Sequence, residues 1–183
     1  MGMKIAGYAL SALAFGAELA VVGPRAKADD PSACQAVLEA VIKQTTIPVH
    51  QKITIESAAA PGKPIQSETI HVGDTLYMQV RGQWMARPYD ARKASEDARQ
   101  AMLKAEHSCA RVGNEAVEGQ PATLYSVQSK TATGSTNSRI WISPSTGLPL
   151  RQRTVMLEQG ATKMQHEVGF DYANVRAPAG VAR

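Results

Sequence analysis

Residues whose types and spacing could do chemistry are few in this chain. The four histidines, His50, His71, His107 and His166, are scattered. None forms an H-x-x-x-H or similar ligand spacing, and no acids cluster around them, so no metal or cofactor is expected. His166 stands apart because it alternates with apolar residues in the last strong β pattern. Its ordinary reading is a core or rim histidine hydrogen-bonded to a neighbour; the other is a ligand or pH-responsive group. Serines and threonines are plentiful, but no G-x-S-x-G elbow is present. Glu115 and Glu118 flank a turn and read as solvated carboxylates, not as an acid–base pair. No catalytic residue is assigned, and a non-enzymatic protein is expected.

The two cysteines, Cys34 and Cys109, form neither a C-x-x-C pair nor a lone reactive thiol. The first residues point to an oxidising compartment. Lys4 supplies a positive start, Ile5 to Val22 is mostly apolar, and Ala26-Lys27-Ala28 fits a small-x-small cleavage site. Glu18 and the Pro24-Arg25 break argue against a spanning anchor, which needs about 20 clean apolar residues. Residues 1–28 are therefore expected to be a signal peptide cleaved after Ala28, leaving a periplasmic protein without stable membrane insertion. In that setting Cys34 and Cys109 are expected to pair as a disulfide.

Removing 28 of the 183 residues leaves 155, enough for one domain with a sizeable core. The removed segment carries Lys4, Arg25, Lys27 and Glu18, so the net charge falls from +4 to +2. No basic cluster is left, and nucleic-acid binding is not expected. Aromatics are only 5% of the chain, so Val, Ile, Leu, Met and Ala must build the core.

The elements follow from periodicity. Asp29 to Thr46 reads as a helix, with Asp30 as cap, Pro31 in the first turn and an apolar stripe of Val37, Leu38, Val41 and Ile42. Alternation predicts a strand over 47–57, a weaker one over 64–72, and further strands over 75–81 and 84–87. Asp90 to His107 lacks Gly and Pro and reads as a second helix with a small-residue face of Ala94, Ala98, Ala101, Met102 and Ala105. From Cys109 onward the pattern is all β, with strands near 109–117, 122–129, 138–142, 148–157 and 163–174. Residues 177–183 read as a disordered tail without a packing signal. The expectation is α+β: a strongly curved antiparallel sheet of about eight strands, an incomplete barrel, with two helices covering its concave face.

Three short stretches carry a resemblance. Ile140-Trp-Ile-Ser-Pro-Ser-Thr-Gly-Leu-Pro-Leu150 resembles the W-[IV]-x-x-x-T-G-L-P turn of the lipoprotein carrier (LolA/LolB-like) superfamily. Ile70-His-Val-Gly-Asp-Thr-Leu-Tyr77 looks like the D-G-x-x-L-W/Y hairpin of those proteins, with the Gly-Asp order reversed. Phe170-Asp-Tyr-Ala-Asn-Val-Arg-Ala-Pro178 is similar to their last strand and its exit. The resemblance implies a single half-barrel domain over residues 29–176, and binding or sensing of lipophilic or lipidated partners. No Arg occurs between Ala28 and Arg81, and Arg87-Pro88 follows the hairpin that such a pair should precede. No functional Arg is carried over.

The sequence thus points to a non-enzymatic periplasmic binding protein, expected to be a monomer, for a lipophilic ligand or the acyl chains of a lipoprotein. Candidate cavity residues are Met78, Trp84, Trp141, Met164, His166, Val168 and Phe170. The alternative is an envelope interaction or stress-sensing module on the same scaffold without an open cavity.

Overall fold

The computed structural model describes residues 30–131 and 134–182; the expected signal segment lies outside them. Helix α1 (Pro31–Thr45) is followed by strands β1 (Val49–Ser57), β2 (Ile65–Val72), β3 (Thr75–Val80) and β4 (Gln83–Pro88). Helix α2 (Ala91–Lys104) then leads to β5 (Glu106–Val117), β6 (Gln120–Thr131), β7 (Gly134–Ile142), β8 (Pro149–Glu158) and β9 (Ala161–Asp171). A two-residue strand, β10 (Val181–Ala182), ends the element order.

Both helices start where the sequence offers a cap. Asp30 accepts from the Ser32 amide at 3.0 Å, with Pro31 in the first turn, and Asp90 accepts from the Lys93 amide at 3.0 Å. Helix α2 stops at Lys104, earlier than its composition suggests, because β5 starts at Glu106 to pair with Lys130 of β6.

The strands lie in the order β10-β4-β3-β2-β1-β9-β8-β7-β6-β5. Every neighbouring pair is antiparallel except β10 with β4. Two-residue loops make most of the hairpins. Arg81-Gly82, Glu118-Gly119 and Gln159-Gly160 each put a side-chain-bearing residue near φ +51 to +52° and a glycine near +79 to +80°. Two successive positive φ values match the twist of the flanking strands, which is why Gly takes the second place. The Ser143-Pro-Ser-Thr-Gly147 turn closes with Ser143 N–H donating to the Leu148 carbonyl at 2.9 Å.

The sheet curves but does not close: β5 and β10 remain at opposite ends of the strand order. Helix α1 packs on β5–β8 through Ala33, Val37 and Ala40, which meet Cys109, Val127, Ile140 and Ile142. The buried stripe is thus the small-residue one. Leu38, Val41 and Ile42, expected to share it, are half-buried beside it. Helix α2 rests mainly on α1, where buried Ser95 meets Thr45 hydroxyl to hydroxyl at 2.7 Å. Cys34 and Cys109 are bonded, with Cα atoms 5.2 Å apart, tying α1 to β5. The tail segment also has a place: Val181 and Ala182 run alongside Trp84 and Met85 of β4.

Candidate functional site

Residues directly opposite each other across antiparallel strands share a face, so the register sorts the side chains. Ile140 faces Gln152, then Val168, Ile53 and Ser67 in one row. Ser138, Thr154, His166, Ile55 and Ile65 form the next row. Ser129, Thr136, Met156, Met164 and Ser57 form the one beyond it. Because Ile140 packs under α1, these rows are on the helix-covered face.

The sequence candidates divide between the two faces. Met164, His166, Val168 and Phe170 alternate down the helix side of β9, and Met78 joins them through its pairing with Thr69. Trp141 and Trp84 do not. Trp141 shares the opposite face with Val117, Ala122, Leu124 and Leu150, and its indole N–H donates to the Glu115 carboxylate at 2.6 Å. Trp84 pairs with Gln79, one place out of phase with Met78 and Met85. A one-residue step moves a side chain to the other side of a strand, and a sequence without its pairing partners does not show which side a short strand turns inward.

At the outermost row the helix side opens into a cleft of about 530 Å³, lined by Ser57, Thr136, Met156, Leu157, Met164 and their neighbours. Met156 is 38% exposed there. Lys163 and Glu158 pair at 2.9 Å beside it. Gly134 is needed at this point: a Cβ on it would stand 2.6 Å from the Leu157 carbonyl oxygen. Deeper in, Val168 is only 9% exposed, whereas Met164, His166 and Phe170 are half-buried. Met156 and Leu157 were missed in the sequence, although Met156 alternates with Gln152 and Thr154 in phase with the helix-side row.

His71 and His50 have structural partners, while His107 has one ring nitrogen 3.4 Å from the Ala101 carbonyl and the other buried without a hydrogen bond. His71 is buried with one ring nitrogen 3.1 Å from the Ile47 carbonyl and the other 2.9 Å from that of Gly73, under the ring of Tyr89 at 3.9 Å. The Tyr89 hydroxyl in turn donates to the Thr45 carbonyl at 3.0 Å, and burial raises its pKa. These contacts fasten the end of α1 to the β2–β3 turn. His50 meets Glu68 at 2.6 Å across β1 and β2. Among the described residues no three His, Cys, Asp or Glu side chains are grouped to hold a metal.

An incomplete antiparallel barrel with helices over its hollow face is the architecture that the LolA-like motifs implied, and the chain has it. Two solved structures of MucB agree at the level of the fold. MucB in complex with MucA(peri) is 17% identical over 82% of this chain and 62% of that one, with a TM-score of 0.51. The MucA/MucB complex of Pseudomonas aeruginosa is 14% identical over 83% of this chain and 61% of that one, with a TM-score of 0.50. The present chain thus spans less than two thirds of those MucB chains. LprF from Mycobacterium bovis is 15% identical, covers 85% of this chain and 100% of its own, and gives a TM-score of 0.49. No protein-family model and no curated protein matches the sequence.

Proposed function

We propose that this is a periplasmic, non-enzymatic binding protein whose helix-covered face takes a lipophilic ligand or the acyl chain of a lipidated protein. The observation that carries the reading is the cleft at the row of Met156 and Met164, whose wall is mainly apolar and whose rim is polar. Its volume of about 530 Å³ is in the range of small-molecule sites, roughly 300–1,000 Å³. Methionine thioethers adapt to irregular chains, and each buried methylene of a ligand contributes about 0.8 kcal/mol. His166, one row deeper, and Met78, Val168 and Phe170 extend the same face. Trp84 and Trp141, on the far side, are not part of it. The expected signal peptide accounts for the compartment, and mass spectrometry of exported protein should find Asp29 at the N-terminus.

Protein prepared without detergent should release lipid on organic extraction and bind a fluorescent fatty acid. Met164→Trp, at a half-buried position in the cleft, should abolish probe binding while leaving the melting temperature within a few degrees. Absence of both copurified lipid and probe binding would end this reading.

The likeness to MucB supports a second one. The two MucB structures described above are complexes with MucA, and this chain is similar to them in fold. On that reading the chain is an envelope interaction or stress-sensing module, and its scaffold would bind a protein segment while remaining inert to lipid.

A further inference from the structure

We infer a second binding site, for a small anionic amphiphile, on the face of the sheet opposite the helices. Its centre is Gly169. A glycine inside a strand weakens it, and such a residue usually marks a bulge, a bend or the close approach of another molecule. The register is regular here: Gly169 pairs with Lys52 of β1 and Arg151 of β8, with no slip at that point in either pairing. Its φ is not in the left-handed region, and a Cβ built on it would meet nothing within 4 Å. Neither backbone conformation nor packing calls for glycine.

The open space above it belongs to a cavity of about 540 Å³ walled by Leu148, Leu150 and Tyr172, with Lys52, Gln120 and Thr146 supplying polar groups. Leu148 and Leu150 are buried, so the apolar wall is firmly set. Glu118 and His50 also line the cavity, and the charged groups around it other than Lys52 are already partnered. Arg151 reaches Glu118 at 3.8 Å and Glu167 at 3.6 Å, Arg153 reaches Glu167 at 3.6 Å, and His50 meets Glu68. Asp171, also at the rim, accepts from the Ala173 amide. Lys52 is left as a cation with no carboxylate partner among the described residues. A ligand with one anionic head at Lys52 and a flat apolar body over Gly169, against the two leucines, matches this arrangement in charge and shape. The site does not depend on the helix-side cleft.

The test uses the mature chain and 8-anilinonaphthalene-1-sulfonate, an anion with an aromatic body. Gly169→Leu fills the dip without backbone strain and should weaken binding of this probe roughly tenfold or more, with no loss of melting temperature. Lys52→Gln should weaken binding and flatten its salt dependence. Decanoate should displace the probe, and decylamine should not. The same titrations are repeated in Met164→Trp, which blocks the helix-side cleft, and the signal that remains in that variant reports this site. The proposal falls if Gly169→Leu leaves binding intact, if decylamine competes as well as decanoate, or if Met164→Trp removes the signal. It also falls if Gly169→Leu lowers the melting temperature markedly, since the glycine would then be structural.

Discussion

Glycine 134 and valine 168 set opposite limits on what the helix-side face tolerates. Gly134→Ala would push a methyl group onto the Leu157 carbonyl, which is backbone and gives little. Overpacking of this kind costs roughly 1–3 kcal/mol, and urea unfolding should show a lower midpoint with an unchanged slope. At Val168 the neighbours Gln152 and Ile53 stand directly opposite on either side. Val168→Trp should therefore destabilise as overpacking does, by roughly 1–3 kcal/mol, whereas Met164→Trp should be nearly neutral. Parallel melts of the two variants check the contrast, and equal losses would mean that the cleft is filled core. Tyr172 is a third informative residue. Its hydroxyl donates to the Pro149 carbonyl at 2.7 Å, and burial raises its pKa well above the usual phenol value. The unfolded chain then loses the phenolic proton first, so stability is intact below about pH 10 and declines above it. Alkaline unfolding should be less steep in pH for Tyr172→Phe than for the wild type.

Among the elements, the helices depend on caps that titrate. The pKa of Asp30 is lowered by the Ser32 hydroxyl and then by backbone amides, and that of Asp90 chiefly by the Lys93 amide. Folded pKa values below the unfolded value mean that this stabilisation is present above about pH 4 and lost as pH falls below it. Replacing both with Asn, which also caps but does not titrate, should reduce the loss of helical signal on acidification. The Cys34–Cys109 bond closes a loop with a sequence separation of 75. In the chain-entropy picture it contributes roughly 4 kcal/mol, and reduction should lower the urea midpoint while α1 loses its tie to β5. Much of this was legible in the sequence. The caps, the Ser-Pro-Ser-Thr-Gly turn, the X-Gly hairpins and the lone cysteine pair all rest on local chemistry that short stretches display. The facing of Trp141 and Trp84 was not, because it depends on pairings and a bulge between Trp141 and Ile142 that no short window contains. The placement of Val181 and Ala182 on β4 was equally invisible, since two residues carry no periodicity.

On the scale of the molecule, the strand order divides into two runs of sequence neighbours, β4-β3-β2-β1 and β9-β8-β7-β6-β5, joined along β1 and β9. Within each run, strands adjacent in space are adjacent in the chain, so their contacts close small loops. The seam is different: His50 pairs with Asp171, and Ser57 with Met164, across more than half the sequence. Long loops must close before such contacts form, which makes them slow. The order of events in folding follows from this. The β5–β9 run, with four hairpins, should gather first, and the β1–β4 run should zip onto it along β9. Hydrogen exchange should find the slowest amides in β6–β8 and a faster, jointly opening group in β2–β4, each run behaving as a unit. A single uniform protection level across all strands would contradict it. The helix-side rows cross that seam, carrying Val168 beside Ile53 and Met164 beside Ser57, so the proposed binding face exists only once the last step of folding is complete.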